Sequence, residues 1–220
     1  MDETEAGSPL RWTTKAEVAY AAVRSRVIEG SLPPGSTIDQ RTLAASIGVS
    51  TTPLREAVRR LESEGFIRQT AHHEMRVSEL SLNELEDIYD VRIKLLPAAA
   101  ALAAERATET DRETVARLAE FPANAAAPTI LAHHARFHRS LYSGCGNKIL
   151  IDILDSLADR SNRYRRQLIE DFQASGVRLR VHRKLAKAYV EGRSEELAEL
   201  IEADLRKTLR QLATLLGKSR

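Results

Sequence analysis

Residues 40–65 read QRTLAASIGVSTTPLREAVRRLESEG, and the punctuation of this stretch decides the front of the chain. Asp39 stands as a cap before a short helical run, Gln40–Ile47. Gly48 ends that run, Ser50 can cap a second helix continuing through Glu64, and Gly65 closes it. Two short helices joined by Gly48-Val49-Ser50 are the parts of a helix-turn-helix, whose second helix lies in the major groove with its first residues toward base edges. Thr51, Thr52 and Arg55 stand at that end. Their hydroxyls can meet phosphate or base, and the guanidinium can reach guanine O6 and N7. Arg59 and Arg60, further along, are placed for the DNA backbone.

Working outward, Lys15–Glu29 carries apolar residues at Val18, Ala22, Val23 and Val27, a helical spacing that stops at Gly30. Ser31-Leu32-Pro33-Pro34-Gly35 is a turn. Beyond Gly65, the stretch Phe66–Glu79 has apolar points at Phe66, Ile67, Val77 and Leu80 and fits a two-stranded wing. The expected division is a winged helix-turn-helix domain over 12–78 and an all-helical domain over 81–217. In the second part helices are expected at 81–106, 111–121, 129–143, 148–172, 176–191 and 194–215. Six helices in that length form an antiparallel bundle, so the fold class is mostly α.

Composition bounds the function. The 220 residues are 43% hydrophobic, 29% charged and 5% aromatic, with a formal net charge of only +2. Any affinity for DNA therefore comes from a local basic surface rather than a global field. A single Cys145 excludes an intrachain disulfide. No apolar run approaches the roughly 20 residues that span a bilayer. Met1–Pro9 is acidic and polar, unlike a secretory signal. The expected setting is the cytoplasm, with no membrane partner.

Four of the six histidines, His133, His134, His138 and His182, fall in the helical part. His134 and His138 are one turn apart on one helix face, the simplest bidentate metal site a helix offers. Glu191-Gly192-Arg193-Ser194 reads as the turn of a helical hairpin. His182 lies eleven residues before Arg193 (193 − 182) and Asp204 eleven after it (204 − 193), so the two face each other across the hairpin. Two readings stay open on spacing alone: a metal half-site, or polar residues hydrogen-bonded to backbone.

The front of the chain resembles the GntR family of bacterial regulators. The resemblance is carried by Gly30-x-Leu32-x-Pro34-Gly35, Leu43-Ala44-x-x-x-Gly48-Val49-Ser50, Pro53-Leu54-Arg55-Glu56-Ala57 and Leu61-Glu62-x-Glu64-Gly65. It implies operator contacts for Arg41 and Arg55 first, then Thr52. The chain departs from the family pattern in two places. Thr51 stands where an Arg is usual after the Gly-Val-Ser turn, and His72-His73-Glu74 replaces a basic residue and Gly in the wing. His72 and His73 are read as touching phosphate or solvent rather than a metal.

The rear resembles the helical FCD effector domain of FadR-type regulators, in its shorter, VanR-like branch. Here the resemblance rests on Tyr89-x-Val91-Arg92, Ala98-Ala99, Leu102-Ala103-Ala104, Phe137-His138-x-x-Leu141, Gly146-Asn147, His182 and Ala203-Asp204-Leu205. Leu96 stands where a Glu is common. Many members bind a divalent metal through one Asp and three His. In this chain His134 takes the usual Asp position and Asp204 the usual final His position, which implies a ligand set of His134, His138, His182 and Asp204 with two identities exchanged. His133 is a substitute ligand if the helix is rotated. Such a set suits Zn²⁺, Ni²⁺ or another borderline divalent ion. Arg92, Arg160, Arg163 and Tyr164 can bind the carboxylate of a small organic acid effector nearby.

The expected function is therefore a DNA-binding transcriptional regulator, not an enzyme, whose hold on a pseudo-palindromic double-stranded operator is controlled by that acid. A homodimer is expected because one recognition helix reads only a half-site. The rival classes are a metal-dependent enzyme using the His/Asp set and a DNA-binding dimer with no ligand. No general base, nucleophile elbow or phosphate loop supports the enzyme.

Overall fold

The computed structural model describes residues 13–69, 74–120, 127–166 and 177–218. The chain divides into two compact units, one of residues up to Val27 with Ser31–Ser78, the other of Ile28–Gly30 with Glu79 onward. The architecture is mostly helical, with a small antiparallel sheet confined to the first unit.

The first unit runs α1 (Lys15–Glu29), β1 (Thr37–Ile38), α2 (Gln40–Ile47), α3 (Thr51–Ser63), β2 (Ile67–Gln69) and β3 (Met75–Val77). On α1 the buried stripe is Ala19, Val23 and Val27, an i, i+4, i+8 row, while Val18 is 43% exposed. The helix is thus rotated slightly from the face that Val18 and Ala22 would define. Leu43 and Ala44 from α2, and Leu54, Ala57, Val58 and Leu61 from α3, complete the core with Phe66, Ile67, Met75 and Val77. Asp39 caps α2 through a 2.7 Å bond from the Thr42 N–H. Ser50 occupies the cap position of α3, but its side chain makes no capping hydrogen bond.

The wing differs from expectation. The sheet has three strands in the order β1-β3-β2, with Thr37 opposite Arg76 and Ile38 opposite Met75. A two-residue strand is too short to show periodicity. Its pairing is fixed from outside, by the Gly35 N–H to the Val77 carbonyl and the Val77 N–H to the Ser36 carbonyl, each 2.9 Å. The expected wing residues His72 and His73 lie outside the described residues.

The second unit runs α4 (Leu82–Glu105), α5 (Glu109–Ala119), α6 (Ala127–Ser140), α7 (Lys148–Arg165), α8 (Val177–Val190) and α9 (Ser194–Lys218). The most extensive packing is between α4 and α9, where Ala99, Ala100, Ala103 and Ala104 are buried and their small side chains permit close approach. Two boundaries move for identifiable reasons. The start of α5 is set by a capping box in which Thr108 Oγ1 accepts from the Asp111 N–H at 3.2 Å and Asp111 accepts from the Thr108 N–H at 2.9 Å, so Asp111 lies inside the helix rather than at its start. α6 stops at Ser140, and the chain turns over the next residues. The expected continuation of α7 to 172, the start of α8 at 176 and the expected end of α5 at Phe121 fall outside the described residues. The hairpin between α8 and α9 turns on Gly192 at φ 68°, and Arg112 from α5 donates to the Tyr189 and Val190 carbonyls that end α8. Arg112 thereby fixes where α8, and His182 on it, sits against α5.

Gly48 ends α2 in the left-handed conformation, φ 77° and ψ 31°, and no atom lies within 4 Å of a Cβ built there. Gly48→Ala should therefore destabilise the chain by about 1–2 kcal/mol through backbone strain alone. Urea unfolding followed by circular dichroism checks this, and an unchanged midpoint would show that the turn adjusts freely.

Candidate functional site

α3 carries Thr51, Arg55 and Arg59 at intervals of four, so all three share one exposed stripe, with exposed Thr52 beside it. Arg41, exposed on the first turn of α2, joins Thr51 and Arg55 in lining an open groove of about 580 Å³ together with Thr37, Asp39 and Glu74. Thr52 and Arg59 are not part of the groove lining. Among the described residues, Arg41, Arg55 and Arg59 enter no ion pair. Arg60 is engaged differently from expectation: its Nε donates to Glu64 at 3.0 Å and its guanidinium stacks 3.8 Å from the Tyr20 ring centroid, which ties α3 to α1. Glu74 accepts from Arg76 Nε at 2.8 Å, and that bond holds its carboxyl below the ordinary range. The groove therefore presents two fixed carboxylates, Asp39 and Glu74, beside two guanidinium groups that form no ion pair among the described residues, with the Arg41 charge acting on Asp39.

In the second unit α6 and α8 bring three imidazoles together. The His134 and His138 ring centroids are 4.2 Å apart, those of His134 and His182 5.3 Å, and those of His138 and His182 5.0 Å. One ligand nitrogen from each lies within 4.8 Å of the other two. Phe137 stacks on His182 at 4.2 Å and 26°, which holds that ring in place from the apolar side. Two nitrogens on one ion, each about 2.0–2.1 Å from it, stand at most about 4.2 Å apart, so a spread within 4.8 Å is close to what one ion spans. The donor chemistry fits a borderline divalent metal. Asp204 is outside this group of three. It is half-buried on α9, and its charge acts on Arg92. His133 is engaged elsewhere, its Nε2 lying 2.8 Å from the Leu118 carbonyl.

Beside the imidazoles are two buried guanidinium groups. Arg92 is 4% exposed and donates to Ser161 Oγ at 2.7 Å; Arg165 is 3% exposed and its Nη1 lies 3.0 Å from His134 Nε2. Burial pulls Arg92 below its ordinary value, Tyr89 opposes this, the neighbouring Arg165 adds to it, and Tyr142 and Asp204 also oppose it. Among the described residues, neither guanidinium forms an ion pair, Arg165 Nε has no hydrogen-bond partner and neither has the buried Tyr89 hydroxyl. Two buried cations without an ion pair among the described residues favour an anion, because an incompletely compensated buried charge is costly.

The C-terminal end of α7 carries two rows. Ser161 and Arg165 form the row that meets Arg92 and His134. Arg160, Arg163 and Tyr164 form the other, gathered around Glu84 on the first turn of α4. Arg160 donates to Glu84 at 2.8 Å, Tyr164 donates to Glu84 and sits 3.3 Å from both the N–H and the carbonyl of Ser81, and Glu84 acts on the buried Arg163. Burial and the Glu84 hydrogen bond raise the Tyr164 hydroxyl above its ordinary range.

Comparison with known proteins settles the family. Residues 15–71 match the bacterial regulatory proteins of the gntR family, and residues 87–207 match the FCD domain. The Nta operon transcriptional regulator of Aminobacter aminovorans is 30% identical over 189 residues, covering 83% of this chain and 87% of its own. The chain belongs to the GntR family. It is a DNA-binding transcriptional regulator. The repressor GlaR of Escherichia coli is 27% identical over 154 residues, covering 66% of this chain and 70% of its own. E. coli McbR/YncC shares the fold, with a TM-score of 0.80 at 22% identity over 95% of this chain and all of that one. No helix among the described residues is long and apolar enough to cross a membrane.

In this GntR regulator the expected effector residues divide: Arg92 lies beside the histidine cluster, and the three on α7 lie around Glu84. Arg160, Arg163 and Tyr164 meet Glu84, whereas Arg165, which was not singled out, contacts the histidine cluster. Ser161 and Arg165 are four apart and share a face, but Arg163 and Tyr164 of the other row are buried as well, so burial on α7 does not by itself select one row. Removing the acceptor of the Arg92 bond tests how tightly the cluster is wired. Ser161→Ala leaves a buried guanidinium short of an acceptor and should cost about 1.5–3 kcal/mol in urea unfolding. A loss below about 0.5 kcal/mol would show that Arg92 finds another acceptor at once.

Proposed function

We propose that operator binding by this regulator is controlled by a small organic acid that binds among Arg92, Arg165 and the three histidines, with a divalent ion on His134, His138 and His182. The observation that carries this reading is the pair of buried guanidinium groups, without an ion pair among the described residues, beside three convergent imidazoles. A bound divalent ion would supply a fixed positive centre with open positions for carboxylate oxygens. Arg92 and Arg165 supply planar donors for the same anion, and bidentate pairing gives them orientation as well as charge. Asp204 offsets part of the charge on Arg92 and is a fourth ligand only if α9 brings it inward. Zn²⁺ and Ni²⁺ suit the donors.

On the DNA side, Arg55 and Thr51 face base edges, Arg41 meets the same stretch from α2, Arg59 follows the backbone, and Thr52 stands beside them. The chain acts as a homodimer on a pseudo-palindromic operator, since one α3 reads one half-site. Sedimentation on operator DNA with one chain per duplex would contradict the dimer.

Two expected outcomes follow. Arg55→Ala should lose about 1–3 kcal/mol of specific binding, measured by fluorescence anisotropy on an operator selected by the protein from random DNA. An equal loss on random DNA would reassign Arg55 to phosphate. Saturating the wild type with Ni²⁺ at 100 times Kd should add about 2.7 kcal/mol of stability and raise the melting temperature of the helical unit. His138→Ala should remove that rise; a rise that persists would place the ion elsewhere.

A further inference from the structure

We propose that Arg165 is a tethered cation that holds the lone pair of His134, so that a divalent ion enters the histidine cluster only by displacing it. The proposal rests on the metal reading above and adds a residue that controls it. An arginine side chain offers donors only. With Nη1 3.0 Å from Nε2, both groups buried, the His134 Nε2 must be the acceptor and the Nδ1 must carry the ring proton. A neutral imidazole has one lone pair on its ring nitrogens, and Arg165 uses it. A metal approaching Nε2 meets the guanidinium in its way. A metal approaching Nδ1 requires the other tautomer, whose Nε2–H then points at an N–H of Arg165. Either route separates the pair.

Charge acts in the same direction. Arg92 and Arg165 already place two positive charges at the site, Arg165 close enough to disfavour the charged form of Arg92. None of the three imidazoles brings negative charge, and Asp204 stands outside the cluster. A divalent ion therefore enters against repulsion that an acidic ligand in the His134 position would have relieved. An anion relieves it from outside. Arg165 has a spare donor, the buried Nε without a partner among the described residues, and a dianion that draws the guanidinium away from His134 both frees the lone pair and offsets the charge. Anion and metal then help each other to bind, and by linkage each raises the affinity of the other by the same factor.

The test measures Ni²⁺ binding to the full chain by calorimetry in chloride and in sulfate at equal ionic strength, for the wild type, Arg165→Met, Arg165→Lys and His138→Ala. Arg165→Met removes charge and donor while filling the space, and it should bind Ni²⁺ at least about tenfold more tightly than the wild type in chloride. Sulfate should tighten Ni²⁺ binding to the wild type and leave Arg165→Met unchanged. Arg165→Lys keeps the charge and should stay within a few-fold of the wild type. Circular dichroism melts establish that each variant folds, and the sulfate effect on the wild type decides the matter if Arg165→Met does not. Unchanged or weaker binding in Arg165→Met, or a folded wild type indifferent to sulfate, overturns the role of Arg165 while loss of binding in His138→Ala keeps the metal reading. Absence of Ni²⁺ uptake by both the wild type and Arg165→Met overturns the metal reading itself.

Discussion

The helical unit is organised around a burial that alone would be unfavourable: two guanidinium groups, Arg92 from α4 and Arg165 from α7, lie in its interior, and among the described residues their acceptors are a serine hydroxyl and an imidazole. Several other arginines of the helical unit have carboxylates or carbonyls. Arg139 pairs with Asp155, Arg183 with Glu120, and Arg112 with the end of α8. Buried positive charge with no carboxylate in ion-pair contact among the described residues costs stability, and the proposed anion would offset that cost. Apolar surroundings deepen that cost, and the stability that offsets it comes from the core of the unit, from Leu85 and Tyr89 through Phe137 to Leu185, Tyr189 and Leu205.

The same stretch of α7 does two jobs within the helical unit. One row touches the cluster through Ser161 and Arg165, and the other holds Glu84 and Ser81 at the start of α4 through Arg160 and Tyr164. A ligand that draws Arg165 from His134 acts on the helical turn whose other face anchors α4. In the sequence Ser81 follows the last strand of the first unit, which ends at Val77, by four residues (81 − 77). The proposed control of DNA binding therefore has a short covalent path from the start of α4 to the wing.

Much of the fold was legible because its signals are local. The limits of α1 and α2 were set by Gly30, Asp39 and Gly48, residues whose backbone preferences do not depend on what packs against them. The strand β1 was not legible, since its two residues are fixed by hydrogen bonds to a segment nearly forty positions away. At the site, the i, i+4 relation of His134 and His138 was readable from spacing, and the hairpin count carried His182 toward them. Asp204 was counted by the same arithmetic yet stands outside the cluster, because a hairpin register places residues opposite each other without fixing where their side chains reach. Arg165 was not legible among Arg160, Arg163 and Arg166, because Arg163 and Arg165 are both buried and only tertiary packing decides which of them meets the histidines and which meets Glu84.

The measurement that bears most directly on the central claim is the dissociation constant of the full chain for its selected operator, taken with Ni²⁺ and a panel of small carboxylic acids present and then with both absent. If the buried cation cluster governs DNA binding, at least one acid in the presence of Ni²⁺ changes that constant by about tenfold or more, within the range typical of coupled sites, and Arg92→Met loses the change while still binding the operator. An operator affinity that stays within about twofold under every metal and acid condition would contradict the account.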